Sequence, residues 1–164
     1  MFSPESLSKI LRLDWETDRI VKFNIHHLDI CDLNEFDKKI LTTFPDYKKH
    51  LENLTNNSLA FTAMSEGEIY GMFGIYQLWP GVSEGWLIPS AHVGRRTITF
   101  HRGALQFFEY AAQQTRTKRL QFTVCTSNVL ADRWAKRCYF ESEGILKQYG
   151  PDGSDYRMYA RFFK

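Results

Sequence analysis

The side chains able to do chemistry gather in one stretch, Ser83 to Phe140. Glu84 supplies a carboxylate, and His92 and His101 supply imidazoles that can take a proton. Glu84 would serve equally as a charge at a strand edge. His101 falls in the first turn of an expected helix, where the dipole disfavours the imidazolium and so suits a neutral base. A histidine in that place also caps or packs. Between them, Arg95 and Arg96 adjoin Thr97 and Thr99. Guanidinium groups grip phosphate oxygens two at a time, and hydroxyls add donors. The same arginines would also stand as solvated loop charges. Asn128 precedes a helical pattern and reads as an N-cap.

Elsewhere the chemistry is sparser. His26-His27-x-Asp29 has metal-ligand types, but spacing places no further ligand beside it, and the sequence equally reads as a polar strand end leading into a helix. Cys31, Cys125 and Cys138 are odd in number and lack a metal-binding spacing, which points to a reducing cytoplasm. Met1-Phe2-Ser3-Pro4-Glu5 lacks the basic and apolar regions of a secretory signal, and no apolar run approaches the ~20 residues of a membrane span.

Elements must position these groups. Glu84–Ile88 reads as a strand stopped by Pro89, which lacks an N–H for a ladder. Phe100, Ala104, Phe107, Phe108, Ala111 and Ala112 recur at helical spacing. Leu120–Cys125 reads as a buried strand, and Leu130, Ala131, Trp134 and Ala135 mark a second helix. This strand–helix–strand unit makes parallel strands, and ligands in such units lie beyond the strands' carboxyl ends. That expectation centres on Leu87–Thr97 and Thr126–Asn128.

Upstream, residues 3–13 suggest a short helix with Pro4 in its first turn, broken by Asp14–Asp18. Arg19–Ile25 reads as the first strand. Asp32–Asn53 is helical with Leu33, Phe36, Ile40, Leu41 and Phe44 on one face, and Pro45 divides it. Asn56-Asn57-Ser58 signals a turn. Ser58–Met64 and Ile69–Leu78 make a hairpin about Ser65-Glu66-Gly67-Glu68. Downstream, Gly144–Tyr149 and Asp155–Phe163 form a last hairpin around Gly150–Ser154. The expected architecture is a mixed α/β (α+β) twisted sheet with helices on both faces, one domain over residues 1–164 with residues 1–15 as an extension.

This order resembles the GNAT superfamily of acyl-CoA-dependent N-acyltransferases, from about Arg19 to Phe163. Asn128, Ala131, Trp134 and Phe140 match the family pattern after the fifth strand, while Ala135 stands where a Tyr often acts as acid and Tyr139 where Gly is usual. The glycine spacing of the family's diphosphate loop is not kept in Gly94–Ala104. The resemblance implies acetyl-CoA as cosubstrate and direct attack by an amine of unknown identity. It implies that backbone around Leu87 and Ile88 polarises the thioester, that Glu84 or His101 is the base, and that Arg95, Arg96, Thr97, Thr99 and Asn128 hold the cofactor. A narrower resemblance, on Trp86-Leu87-Ile88, Phe100-His101-Arg102 and Asn128…Trp134, is to GNAT-like proteins of T7-type phages. That implies host cytoplasm or virion as the setting, and it opens the alternative of a catalytically degenerate structural or interaction protein.

Composition excludes other classes. Hydrophobic residues are 43% and aromatics 15%, so the chain is globular. A net charge of +2 is too small to argue for nucleic acid. Arg116, Lys118, Arg119, Arg133, Lys136 and Arg137 form a basic group without interleaved aromatics, which disfavours single-strand binding. A solvated face, a site for the CoA 3′-phosphate or an acidic partner all remain open readings of it.

Overall fold

A computed structural model describes residues 3–10, 17–56 and 58–164. Seven strands form one sheet in the order β1-β2-β3-β4-β5-β7-β6. They are β1 (Asp18–Lys22), β2 (Leu59–Ser65), β3 (Glu68–Trp79), β4 (Val82–Pro89), β5 (Arg119–Cys125), β6 (Glu141–Leu146) and β7 (Tyr156–Phe162). All neighbours are antiparallel but one: β4 and β5 run parallel, joined by helix α5 (Thr97–Thr115). The mixed sheet with a single crossover is the architecture the sequence implies.

Helices cover both faces. Helix α1 (Pro4–Ile10) and α5 pack on one face, with α6 (Val129–Arg137). Phe107, Phe108 and Ala111 of α5 meet Phe61, Ile75 and Leu120 of the sheet there. On the other face lie α2 (His27–Ile30), α3 (Glu35–Thr43) and α4 (Tyr47–Thr55), over Ile69, Met72 and Ile88. The hairpin β2–β3 turns on Glu66 and Gly67, both at positive φ (52° and 83°). That is the primed turn whose twist suits a tight hairpin.

Several boundaries move. Leu7 of α1 has 0% exposure and belongs to the main core, so residues 4–10 are an integral part of the fold rather than an appended extension. Leu11, Trp15 and Asn57, used in the sequence reading of the first helix, its break and a turn, lie outside the described residues. Pro89 is the last residue of β4, still paired with Gly71 because its missing N–H faces away from β3, so the strand ends at the proline rather than one residue before it. The apolar face expected on α3 is weaker than its spacing suggests: Phe36 is 41% exposed, and the helix has no buried residue. Strand β6 begins at Glu141, three residues before the expected Gly144. Among the described residues no helix is long and apolar enough to cross a membrane.

Candidate functional site

Strands β4 and β5 pair only from Val82–Arg119 to Glu84–Gln121. Beyond that pair they part, while β4 stays paired to β3 as far as Gly71–Pro89 and β5 to β7 as far as Cys125–Tyr156. The result is a wedge-shaped gap in the sheet. Its walls are Gly85–Pro89 and Phe122–Cys125.

The backbone of β4 determines what this gap offers. Ser90 N–H donates to Tyr70 O at 3.1 Å, so Ser90 faces β3. Antiparallel pairs alternate between bonded and non-bonded. The regular register therefore turns Ile88 and Trp86 toward β3 and Leu87 toward β5. Leu87 N–H is a donor aimed into the gap; Ile88, the other donor expected from sequence, spends its N–H on β3, as does Ser90. Close packing holds this geometry. A Cβ on Gly74 would lie 2.4 Å from Leu59 O and 2.8 Å from Trp86 Nε1, so only glycine fits opposite Trp86.

Glu84 stands at the root of the gap. Tyr76 Oη donates to its Oε1 at 2.7 Å, and Gln121 Nε2 donates to its Oε2 at 3.2 Å. Burial first, then the bond to Glu84, raises the Tyr76 pKa and keeps the phenol a donor. The carboxylate is thus half-buried and oriented by two neighbours, rather than a loose edge charge.

The loop after β4 is anchored to the α2–α3 connection. Ala91 N–H donates to Asp32 O at 2.8 Å, His92 Nε2 lies 3.2 Å from Asp32 Oδ2, and Asn34 Nδ2 donates to Pro89 O at 3.0 Å. A 3₁₀ turn, Val93–Arg96, then runs directly into α5. Thr97 Oγ1 donates to Gly94 O at 2.9 Å, which occupies one hydroxyl proposed for phosphate. Arg96 points back across the sheet edge. Its Nη1 donates to Asp18 Oδ1 at 2.8 Å and its Nη2 to Glu66 Oε1 at 3.1 Å, with the guanidinium over the Tyr70 ring. Of the loop cations, Arg95 is the exposed one with no ion pair among the described residues. Arg95, Thr97 and Thr99 share the outer concavity at the start of α5.

The other sequence candidates are scattered. His101 Nδ1 lies 3.6 Å from Cys138 Sγ, away from Glu84. Burial pushes that thiol up to about 12. Asn128 caps α6, its Oδ1 accepting from Ala131 N–H at 3.1 Å. Ala135 is fully buried and supplies no proton donor. His27 Nδ1 sits 2.7 Å from Thr62 Oγ1, while His26 faces Asp29, and no metal-holding cluster occurs among the described residues. The basic group is partly spent: Arg119 pairs with Glu143, and Lys136 with Asp132.

The sequence reading missed one group at the open end of the gap. Asp37 Oδ2 accepts from Asn34 Nδ2 at 2.5 Å, and its own N–H donates to Asn34 Oδ1 at 3.1 Å. Burial raises the Asp37 pKa to about 6. Its charge in turn helps to raise the pKa values of Tyr47 and Tyr156. The pattern Asn34-x-x-Asp37 was visible as a capping arrangement. Its burial against a strand end far along the chain was not.

No protein-family model and no curated protein sequence matches this chain. Solved structures do. The RimL ribosomal L7/L12 α-N-protein acetyltransferase, in complex with coenzyme A, superposes with a TM-score of 0.69 at 17% identity, over 90% of this chain and 94% of that one. A GNAT-family acetyltransferase from Bacillus anthracis gives 0.66 at 16% identity, over 92% and 97%. An IAA acetyltransferase from Bacillus cereus gives 0.67 at 14% identity, over 90% and 100%. At such identities the likeness is one of fold: this chain has the fold of the GNAT acetyltransferases.

Proposed function

We propose that the protein transfers an acyl group from a CoA thioester, acetyl-CoA in the simplest case, to an amine. The observation that carries this reading is the gap between β4 and β5, with Leu87 N–H aimed into it and Glu84 at its root. The amine nitrogen attacks the thioester carbon, and the carbon–sulfur bond breaks. Leu87 N–H stabilises the oxyanion that forms. Glu84 takes the proton that the amine gives up. Glu84 stands three positions before Leu87, about 10 Å along the strand, so the proton passes through a file of bridging waters. The departing thiolate is protonated by solvent, since Ala135 has no proton to give. Arg95, Thr99 and the start of α5 face the cofactor's phosphates, and Asn128 faces its pantetheine arm. One neighbour is named an α-N-protein acetyltransferase, so a protein N-terminus is one acceptor class and a small-molecule amine the other. Free cysteines suit a reducing compartment, cytoplasmic in either a bacterial or a phage-infected cell.

A second reading has its own support. Trp134 stacks among Phe100, Phe108 and Phe122 at centroid distances of 5.8, 6.0 and 6.4 Å, filling space between α5 and α6. With Arg96 bound to carboxylates and Ala135 in the core, this suits a GNAT-shaped scaffold that has lost catalysis, the role the phage resemblance implies. Isothermal titration with acetyl-CoA and with CoA separates the two. Saturable micromolar binding, weakened in Arg95→Ala, supports the transferase. No heat up to millimolar ligand supports the scaffold.

A further inference from the structure

Beneath the first half of α5 lies a cleft of about 110 Å³. Its walls include Phe73, Leu87, Phe100, Ala104, Phe107 and Trp134. They are almost wholly apolar, and an acetyl methyl would leave most of the space unused. The cleft reaches the gap at Leu87, the residue whose N–H points to the thioester in the proposed reaction. Two details mark it as open space rather than loose packing. Gly103 lines it, and a Cβ built there meets nothing within 4 Å. Trp134, which also lines it, has a buried indole N–H with no acceptor among the described residues.

We infer that this cleft receives the chain of the donor's acyl group, so that the preferred thioester carries a linear acyl chain longer than acetyl. The inference rests on the acyl-transfer reading above and names its donor class. A cavity of about 150 Å³ lined by similar residues holds the six carbons of benzene. On that scale this cleft takes roughly four carbons beyond the thioester carbon. The chain lies against Phe73, Phe107 and the ring of Trp134.

Each buried methylene is worth about 0.8 kcal/mol, or roughly fourfold in affinity. Titration calorimetry with CoA, acetyl-CoA, butyryl-CoA and hexanoyl-CoA reads this directly. Butyryl-CoA is expected to bind about fifteenfold tighter than acetyl-CoA, with a further gain for hexanoyl-CoA. Gly103→Leu places a side chain in the cleft from a helix position where leucine is favoured over glycine, so the variant folds. It should keep CoA binding and lose the chain-length gain. A flat series alongside saturable CoA binding, or a gain that survives Gly103→Leu, overturns the assignment and leaves the transferase reading standing. No binding of CoA or of any thioester overturns both.

Discussion

Arg96 Nη1 donates to Asp18 Oδ1 at 2.8 Å, and this bond ties the start of α5 to the first strand of the sheet. Asp18 is buried, and Ser65 Oγ donates to the same oxygen at 2.5 Å. An arginine that sequence alone offers to a phosphate is thus a structural clamp. Removing it leaves a buried carboxylate short of its charged partner. Arg96→Ala is expected to lower stability by about 2–3 kcal/mol, the scale of a lost hydrogen bond to a charged group. Urea unfolding checks this. Unchanged stability would show the clamp does not form in solution. Arg95→Ala, by contrast, should leave the melting temperature alone.

If acyl transfer is the activity, Glu84 carries its proton step. Glu84→Gln should then cost kcat about 10²–10⁴-fold with little change in KM, the usual size of a general-base contribution. Tyr76→Phe removes one of its two holding bonds and should cost less. Steady-state rates against an amine acceptor decide it: a Glu84→Gln enzyme at wild-type kcat would move the base elsewhere.

Tyr139 sits at φ 65°, in the left-handed region. The GNAT pattern has Gly at this position, and the conformation explains why: a Cβ there costs about 1–2 kcal/mol. Tyr139 recovers part of that cost, since its exposed ring lies 5.5 Å from the Arg161 guanidinium. Gly also carries more unfolded-state entropy. The net expectation for Tyr139→Gly is a small rise in stability, up to about 1 kcal/mol. A fall in melting temperature would mean the cation–π contact outweighs the strain.

The order of elements was legible because the periodic signals were strong. The apolar stripe of α5 from Phe100 to Ala112 and the turn at Glu66-Gly67 each express a local preference. Asn128 was legible for the same reason, since a cap is made with its own helix. Arg96 and the burial of Asp37 were not: the partner of Arg96 lies far off in sequence, and Asn34, which holds Asp37, is anchored to a distant strand end. Asp18 is separated from Arg96 by 78 positions, and Asn34 bonds Pro89 across 55. The gap between β4 and β5 follows from where a register ends, and no single residue announces that. Phe36 shows the converse: its spacing is right for a core face, but α3 buries no residue and leaves that side chain 41% exposed.

Asp37 makes stability depend on pH in an unusual direction for a carboxylate. Its folded pKa is raised by burial to about 6, above the value near 4 of an unfolded aspartate. Below about pH 4 both states hold the proton, and burial carries no penalty. Between pH 4 and 6 the unfolded chain releases its proton while the folded one keeps it, so this stabilisation is lost as pH rises through the folded pKa. Two units correspond to roughly 2–3 kcal/mol. Asp37→Asn removes the titration and keeps an acceptor for Asn34 Nδ2. The variant should therefore gain about 2 kcal/mol at pH 7 and differ little from wild type at pH 4. Chemical denaturation at both pH values measures the difference. An equal effect at the two would show that Asp37 ionises freely, and that the open end of the gap is wetter than its packing suggests.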